Sequence, residues 1–124
     1  MPAMEIARAF VDAINRHNVD ELARLMTEDH VFTDSLGGVT RGRDSMKAGW
    51  ASYFELVPDY TITIEETFSD GPVAVLLGVA QGRYAAETWS TPAAWRAKVR
   101  GDQVAEWRVY ADNEPIRELM RKAR

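Results

Sequence analysis

The first half of the chain repeats its hydrophobic residues every three or four positions, a spacing typical of amphipathic helices. It predicts one helix over residues 3–16 and another over residues 43–56, which ends before Pro58. Between them, Asn18 is a favourable N-cap for a short second helix. Towards the end of the chain, Pro115 is expected to open a short terminal helix.

The second half alternates hydrophobic and polar residues, as strands with one buried face do. A short strand is also predicted earlier, over residues 30–35, and the second of the later strands is apolar enough to be covered on both faces. The later strands are predicted over residues 60–68, 73–79, 93–100 and 104–112. Helices followed by an antiparallel meander predict an α+β fold, in which a curved, mostly antiparallel sheet wraps around the N-terminal helices. The hollow of such a cone-shaped α+β barrel is a natural ligand site.

Length and charge narrow the class of protein. The 124 residues predict a single domain, 1–124. The net charge is −4, and no basic stripe precedes the last few positions, so no nucleic-acid partner is expected. No apolar stretch approaches the roughly 20 residues that a membrane span needs, so no membrane partner is expected either. These features together indicate a cytoplasmic protein.

The residue types also limit the chemistry. The absence of cysteine excludes disulfides and thiolate ligands. His30 is one of only two histidines, and the carboxylates are scattered, so no metal site is predicted. Because the chain also lacks a phosphate-binding glycine loop, we expect no cofactor. Acid/base chemistry by carboxylates remains, together with a pocket rich in aromatic residues.

Asp34 is the first candidate for that chemistry. It follows Phe32 along the predicted strand and precedes Gly37, so it is either a carboxylate that bonds the turn backbone or a general base. A carboxylate held among aromatic side chains loses contact with water, which makes it a better proton acceptor. His30, Phe32 and Asp34 would share one face of their strand.

Asp112 is the second candidate, at the end of the last predicted strand. It is either an N-cap for the terminal helix or an acid/base group in the pocket, with Tyr110 as a neighbouring hydroxyl. Polar residues alternate with apolar ones along this strand, and the polar set either faces solvent or lines the pocket.

Aromatic side chains are the candidates for substrate binding. The third helix is expected to turn Met46, Trp50 and either Tyr53 or Phe54 inward. Tryptophans in such a chain serve more often in a core or an interface than as a substrate platform. The predicted substrate-binding residues are Phe10, His30, Phe32, Trp50, Phe54, Trp95 and Tyr110.

Four runs of sequence carry a resemblance to a known superfamily: FVDAINRHNVDELARLM, DHVFTDSLGG, RGRDSM and VAEWRVYADNEP. Nearly the whole chain resembles the nuclear transport factor 2-like superfamily, and within it SnoaL-like and ketosteroid-isomerase-like proteins. The resemblance implies the cone-shaped cystatin-like roll. It covers isomerases, cyclases, dehydratases, epoxide hydrolases and binders without activity, so it is more specific for the fold than for the reaction.

The resemblance also assigns residues. Asp34 falls where ketosteroid isomerases have their general base, and Phe10 falls where they have an oxyanion-hole tyrosine. Their protonated aspartate would fall on Ala94 or Trp95, of which Trp95 can donate its indole N–H. Asp112 falls on a catalytic carboxylate of limonene epoxide hydrolases, and SnoaL-like cyclases also use an aspartate in this region.

Two main functions are therefore expected. In the first, Asp34 and Asp112 catalyse proton transfer next to a carbonyl of a small apolar or aromatic molecule, with isomerisation, cyclisation or dehydration as the result. In the second, the same pocket binds without turnover, and a purely structural domain is a third alternative. A homodimer through the sheet is also expected, because the open face of such a sheet carries apolar side chains that need cover.

Overall fold

The computed structural model describes residues 2–112 and, in the C-terminal segment, residues 114, 117, 118 and 121. The predicted helix start at Pro115 lies outside the described residues. Residues 2–112 form three helices: α1 (Ala3–Asn15), α2 (Val19–Arg24) and α3 (Arg43–Leu56). The same residues form six strands: β1 (Met26–Thr33), β2 (Val39–Arg41), β3 (Thr61–Asp70), β4 (Val73–Tyr84), β5 (Glu87–Arg100) and β6 (Gln103–Ala111).

The strands form one mixed sheet in the order β2-β1-β6-β5-β4-β3. The β1–β6 pair is parallel and the other pairs are antiparallel, which confirms the mostly antiparallel sheet of the prediction. Helix α1 buries Ile6, Phe10 and Ile14 in the core, against the inner face of the sheet. The predicted α+β fold, a curved sheet wrapped around N-terminal helices, is therefore confirmed.

Local signals explain the helix bounds. The side chain of Asn18 accepts the backbone N–H of Glu21 at 3.1 Å, which caps α2 as the sequence predicts. Helix α2 ends at Arg24, and Met26 already belongs to β1. Strand β1 therefore begins four residues before the predicted start, and its register against β6 shifts between Met26 and Val31.

Strand β4 corrects one prediction. Its buried residues alternate with half-buried ones, so one face packs on the core and the other forms the outer surface of the sheet. The apolar residues Val75, Leu77 and Val79 lie on this outer face and are only half-buried. The strand is therefore not covered on both faces in the single chain.

A bulge bends the far edge of the sheet. Ile64 pairs with Gly78 and Glu66 pairs with Leu77, so Glu65 is an extra residue in β3. The Thr63 carbonyl oxygen consequently lies over Gly78, where a Cβ atom would come within 1.9 Å of it. Glycine is required here because the two backbones approach so closely. None of the helices in the described part of the chain is long and apolar enough to cross a membrane.

Candidate functional site

A cavity of about 570 Å³ lies between α3 and the inner face of the sheet. That volume is within the range that small-molecule sites occupy. Its mouth is formed by the turn after β1 and by Arg117, where Leu36 is 70% exposed. The lining residues are Phe32, Asp34, Ser35, Leu36, Thr40, Met46, Gly49, Trp50, Tyr53, Tyr60, Ala80, Trp89, Thr91, Ala93, Trp95, Val109, Ala111 and Arg117.

Five of the lining rings form a continuous series, which we call the aromatic arc. Its members are Phe32, Trp50, Tyr53, Tyr60 and Trp89. Successive ring centroids lie 6.1, 6.3, 5.0 and 6.1 Å apart, mostly edge to face. Such contacts stabilise aromatic side chains in a fixed arrangement. The arc therefore offers a broad, rigid apolar surface.

Small side chains of the sheet lie on another part of the cavity wall, which we call the small-residue wall. Ala80 pairs with Thr91 across β4 and β5, and Ala93 pairs with Ala111 across β5 and β6. All four line the cavity. Because these side chains are short, they leave open the space that larger residues would fill in an ordinary core. The result is room for a ligand beside a rigid aromatic surface.

Asp34 lies at the mouth, half-buried, just after the end of β1. Its Oδ1 atom accepts the backbone N–H groups of Leu36 and Gly38, both at 2.9 Å. The carbonyl oxygen of Asp34 accepts the N–H of Gly37, whose φ of +88° suits glycine. One carboxylate oxygen thus holds the turn. Within the described chain, no hydrogen bond reaches the other oxygen, Oδ2.

Asp112 does not share this cavity. It is exposed, and its side chain accepts the backbone N–H of Glu114 at 3.0 Å. Tyr110 is 48% exposed on the outer face, with the Arg108 guanidinium carbon 4.9 Å from its ring centroid. The alternation of β6 explains both positions, because its inward set is Trp107, Val109 and Ala111. The polar set faces solvent, so Asp112 does not line the cavity with Asp34, as a role in the pocket as an acid/base group would require.

The other predicted binding residues divide between the cavity and the core. Phe32, Trp50 and Trp95 line the cavity, as expected for pocket walls. Phe10 is fully buried in the core, 4.7 Å from the ring of Trp107, and does not line the cavity. Phe54 contacts Trp50, and its ring centroid lies 4.1 Å from that of His17, on which it stacks. Tyr53 and Phe54, the two alternatives predicted on α3, therefore both turn inward, but only Tyr53 lines the cavity.

His30 is also a core residue. It is fully buried, its ring lies 6.0 Å from that of Phe10, and its Nδ1–H donates to the Val104 carbonyl at 2.7 Å. Nε2 has no hydrogen-bond partner in the structure described. Burial lowers the pKa of His30, and the bond to Val104 opposes the effect only in part. His30 therefore fills the core as a neutral ring.

The buried His30 predicts a pH dependence of folding. The unfolded chain gains a proton as the pH falls below about 6.5, whereas the folded chain resists protonation, so stability falls with decreasing pH. We expect the free energy of unfolding to fall by up to about 1.4 kcal/mol per pH unit between about pH 6.5 and the lowered pKa. Urea titrations measure it, with His30→Asn as the variant that lacks the ring but keeps a donor. An equal slope in His30→Asn would contradict this assignment.

Two tyrosines, Tyr53 and Tyr60, line the cavity. Burial raises the pKa of Tyr53 to about 12. Burial raises the pKa of Tyr60 as well, and the neighbouring Tyr53 adds to the effect. Both phenols therefore stay protonated at neutral pH, the form in which a tyrosine hydroxyl can donate a hydrogen bond. Among the residues described, no group of three or more His, Cys, Asp or Glu side chains is arranged to hold a metal ion.

The sequence profile of the SnoaL-like domain family matches residues 7–112. The chain belongs to the SnoaL-like family. None of the curated proteins matches its sequence significantly. The three solved structures described next are at most 20% identical to this chain and therefore show the fold alone.

Three of these neighbours illustrate the fold of this SnoaL-like chain. A candidate SnoaL-like polyketide cyclase from Shewanella denitrificans has 19% identity and a TM-score of 0.87, with 97% of each chain covered. A protein with a ketosteroid-isomerase-like fold from Catenulispora acidiphila, in complex with trimethylamine, has 20% identity and a TM-score of 0.83, covering 90% of this chain and 88% of its own. TerC, co-crystallised with polyporic acid, has 16% identity and a TM-score of 0.85, covering 98% of this chain and 99% of its own.

Sequence reasoning missed several lining residues of the SnoaL-like cavity. Trp89 and Thr91 lie on β5, which begins at Glu87 rather than at the predicted residue 93. Trp89, Thr91, Ala93 and Trp95 alternate as the buried residues of a strand do, and this pattern could have located the start of β5. Pro92, on the outer face, interrupts the pattern and obscured it. For Arg117 the sequence holds no signal, because its place at the mouth depends on the fold.

Proposed function

We propose that this SnoaL-like protein is a cofactor-independent enzyme that moves a proton on a flat, largely apolar carbonyl compound. The observation that carries the proposal is the position of Asp34, which lies at the mouth of a cavity bounded by the aromatic arc and the small-residue wall. Isomerisation and cyclisation are the two reaction types that such a proton transfer serves. The polyporic acid in TerC and the cyclase description of the Shewanella neighbour support a small ring compound as the ligand.

The proposed reaction begins with Asp34 as the base. Oδ2 takes a proton from the carbon next to the carbonyl while Oδ1 stays bonded to the turn. The electron pair of the broken C–H bond moves towards the carbonyl oxygen, which becomes an enolate. Tyr53 or Tyr60 donates a hydrogen bond to that oxygen and stabilises its charge. Return of the proton from Oδ2 to another carbon isomerises the ligand. Alternatively, the enolate carbon attacks a second carbonyl, which closes a ring, and the alkoxide formed there takes the proton back from Oδ2.

A specific observation favours a second function, binding without turnover. The exposed position of Asp112 leaves Asp34 as the one carboxylate among the lining residues in the described part of the chain. A reaction that needs separate acid and base carboxylates would then lack one of them. The tyrosines are weaker acids than a carboxylic acid, so they suit a hydrogen-bonding role better than proton donation.

Exchange of carbon-bound hydrogen for deuterium tests the first function without knowledge of the product. We expect the wild-type protein to accelerate exchange next to the carbonyl for members of a panel of flat ketones in D₂O, followed by NMR. Ala93→Phe should abolish the acceleration, because the larger ring fills the space beside Ala111. Ligand-induced thermal stabilisation without exchange would indicate the binding function instead.

We also propose a homodimer through the outer face of the sheet. Leu77, Ala94 and Tyr110 are direct neighbours across β4, β5 and β6 on that face. Arg108 and Glu106 on the same face supply both signs of charge, so the face is complementary to a second copy of itself. Light scattering at micromolar concentration should give twice the mass of the chain, and Leu77→Lys should halve it. A wild-type monomer would contradict the proposal.

A further inference from the structure

Arg117 lies exposed at the mouth of the cavity and lines it together with Asp34 and Leu36. The two carboxylates nearest to it in the C-terminal segment serve a different arginine. Arg121 lies 2.5 Å from Glu114 and 3.0 Å from Glu118, measured from guanidinium nitrogen to carboxylate oxygen. In the described part of the chain, no carboxylate lies within 4 Å of the Arg117 guanidinium.

Asp34, on the turn at the mouth of the cavity, does not neutralise Arg117 either. Asp34 directs Oδ1 to the backbone N–H groups of Leu36 and Gly38 and forms no ion pair with Arg117. The cavity behind them is lined mainly by aromatic and small side chains. Among the described residues, the Arg117 guanidinium therefore has no partner charge, and it lies at the entrance of a mostly apolar cavity.

We propose that Arg117 binds an anionic oxygen group of the ligand, so that the ligand is an aromatic or polycyclic acid. The inference rests on the proposed ligand site and names the class of its ligand. A planar guanidinium donates two parallel hydrogen bonds to a carboxylate or a similar oxyanion, which neutral ring oxygens do not match. The ring body would contact the aromatic arc while the anionic group stays at the mouth, near solvent. This orientation would leave the ring carbons next to the head group closest to Asp34.

A matched pair of fluorescent probes tests the inference. 8-Anilinonaphthalene-1-sulfonate and N-phenyl-1-naphthylamine share their ring system, but only the first carries an anionic oxygen group. We expect Arg117→Gln to weaken binding of the sulfonate about fivefold and to leave the neutral probe unchanged. Arg121→Gln, on the same segment but away from the cavity, should change neither. The difference between wild type and Arg117→Gln should shrink near 1 M salt, where screening acts over about 3 Å.

The outcomes separate the inference from the function on which it rests. Equal affinities of wild type and Arg117→Gln for the sulfonate, with both probes bound, would overturn the anion site and leave the ligand cavity standing. Equal losses of affinity for both probes in Arg117→Gln would also overturn it, because a change in cavity shape would weaken the neutral probe as much as the charged one. If wild type binds neither probe, or if Ala93→Phe binds both as well as wild type does, the proposed ligand site fails and the inference fails with it.

Discussion

Replacing Asp34 with asparagine should slow deuterium exchange on a bound ketone by at least about a hundredfold, the contribution typical of a general base. The side-chain oxygen of asparagine can still accept the N–H groups of Leu36 and Gly38, so the turn should persist. The amide nitrogen that replaces Oδ2 accepts no proton. Ligand affinity should therefore stay within a few-fold of the wild-type value. NMR exchange rates and a fluorescence titration measure the two quantities.

Asp112→Asn is the matched comparison, because it alters a carboxylate that is exposed and bonds only backbone among its described partners. We expect its exchange rate to equal that of the wild type. An unchanged rate in Asp34→Asn would eliminate Asp34 as the base. A large loss in Asp112→Asn would restore the second carboxylate of the sequence-based hypothesis.

Replacing Gly78 with alanine should lower the free energy of unfolding by about 3 kcal/mol, the upper end of the range for overpacking. The added Cβ atom would come within 1.9 Å of the Thr63 carbonyl oxygen and 3.0 Å of the Ile64 Cα atom. Both are backbone atoms, so no side-chain rotation relieves the clash. Strand β3 would have to separate from β4 at the bulge. Urea denaturation measures the change.

Gly49→Ala is the control for that experiment. A Cβ atom at Gly49 would come no closer than 3.7 Å to the Met46 sulfur, an ordinary contact, and the residue lies inside α3. Alanine in a helix interior stabilises by about 0.5–1 kcal/mol relative to glycine, so this variant should be at least as stable as the wild type. If Gly78→Ala unfolds at the same urea concentration as the wild type, the close approach at the bulge is wrong.

The helices were readable from the sequence because local signals determine them. Hydrophobic spacing located α1 and α3, and the Asn18 cap located the start of α2. Strand starts were harder, because β1 carries a register shift between Met26 and Val31 that breaks the alternation. The parallel β1–β6 pair joins distant parts of the chain and leaves no local signal.

The site was less predictable than the fold, and strand alternation is the reason. Val109 and Tyr110 are adjacent on β6, so their side chains lie on opposite faces of the sheet. Val109 lines the cavity and Tyr110 does not. Polar residues on β6 suggested chemistry, yet they form the solvent face. For Asp34, one oxygen bonds the turn, as the first of its two alternatives predicts. The residue also lines the cavity, and its role there as a general base stays a proposal.

The central claim is that the cavity beside the aromatic arc is the ligand site, and the four tryptophan indole N–H signals test it most directly. Trp50, Trp89 and Trp95 line the cavity, whereas Trp107 is fully buried elsewhere in the core. In a proton–nitrogen NMR titration with the panel ligand that stabilises the protein most, the first three signals should move and that of Trp107 should stay. Movement of Trp107 alone, or of no indole signal at saturation, would contradict the account.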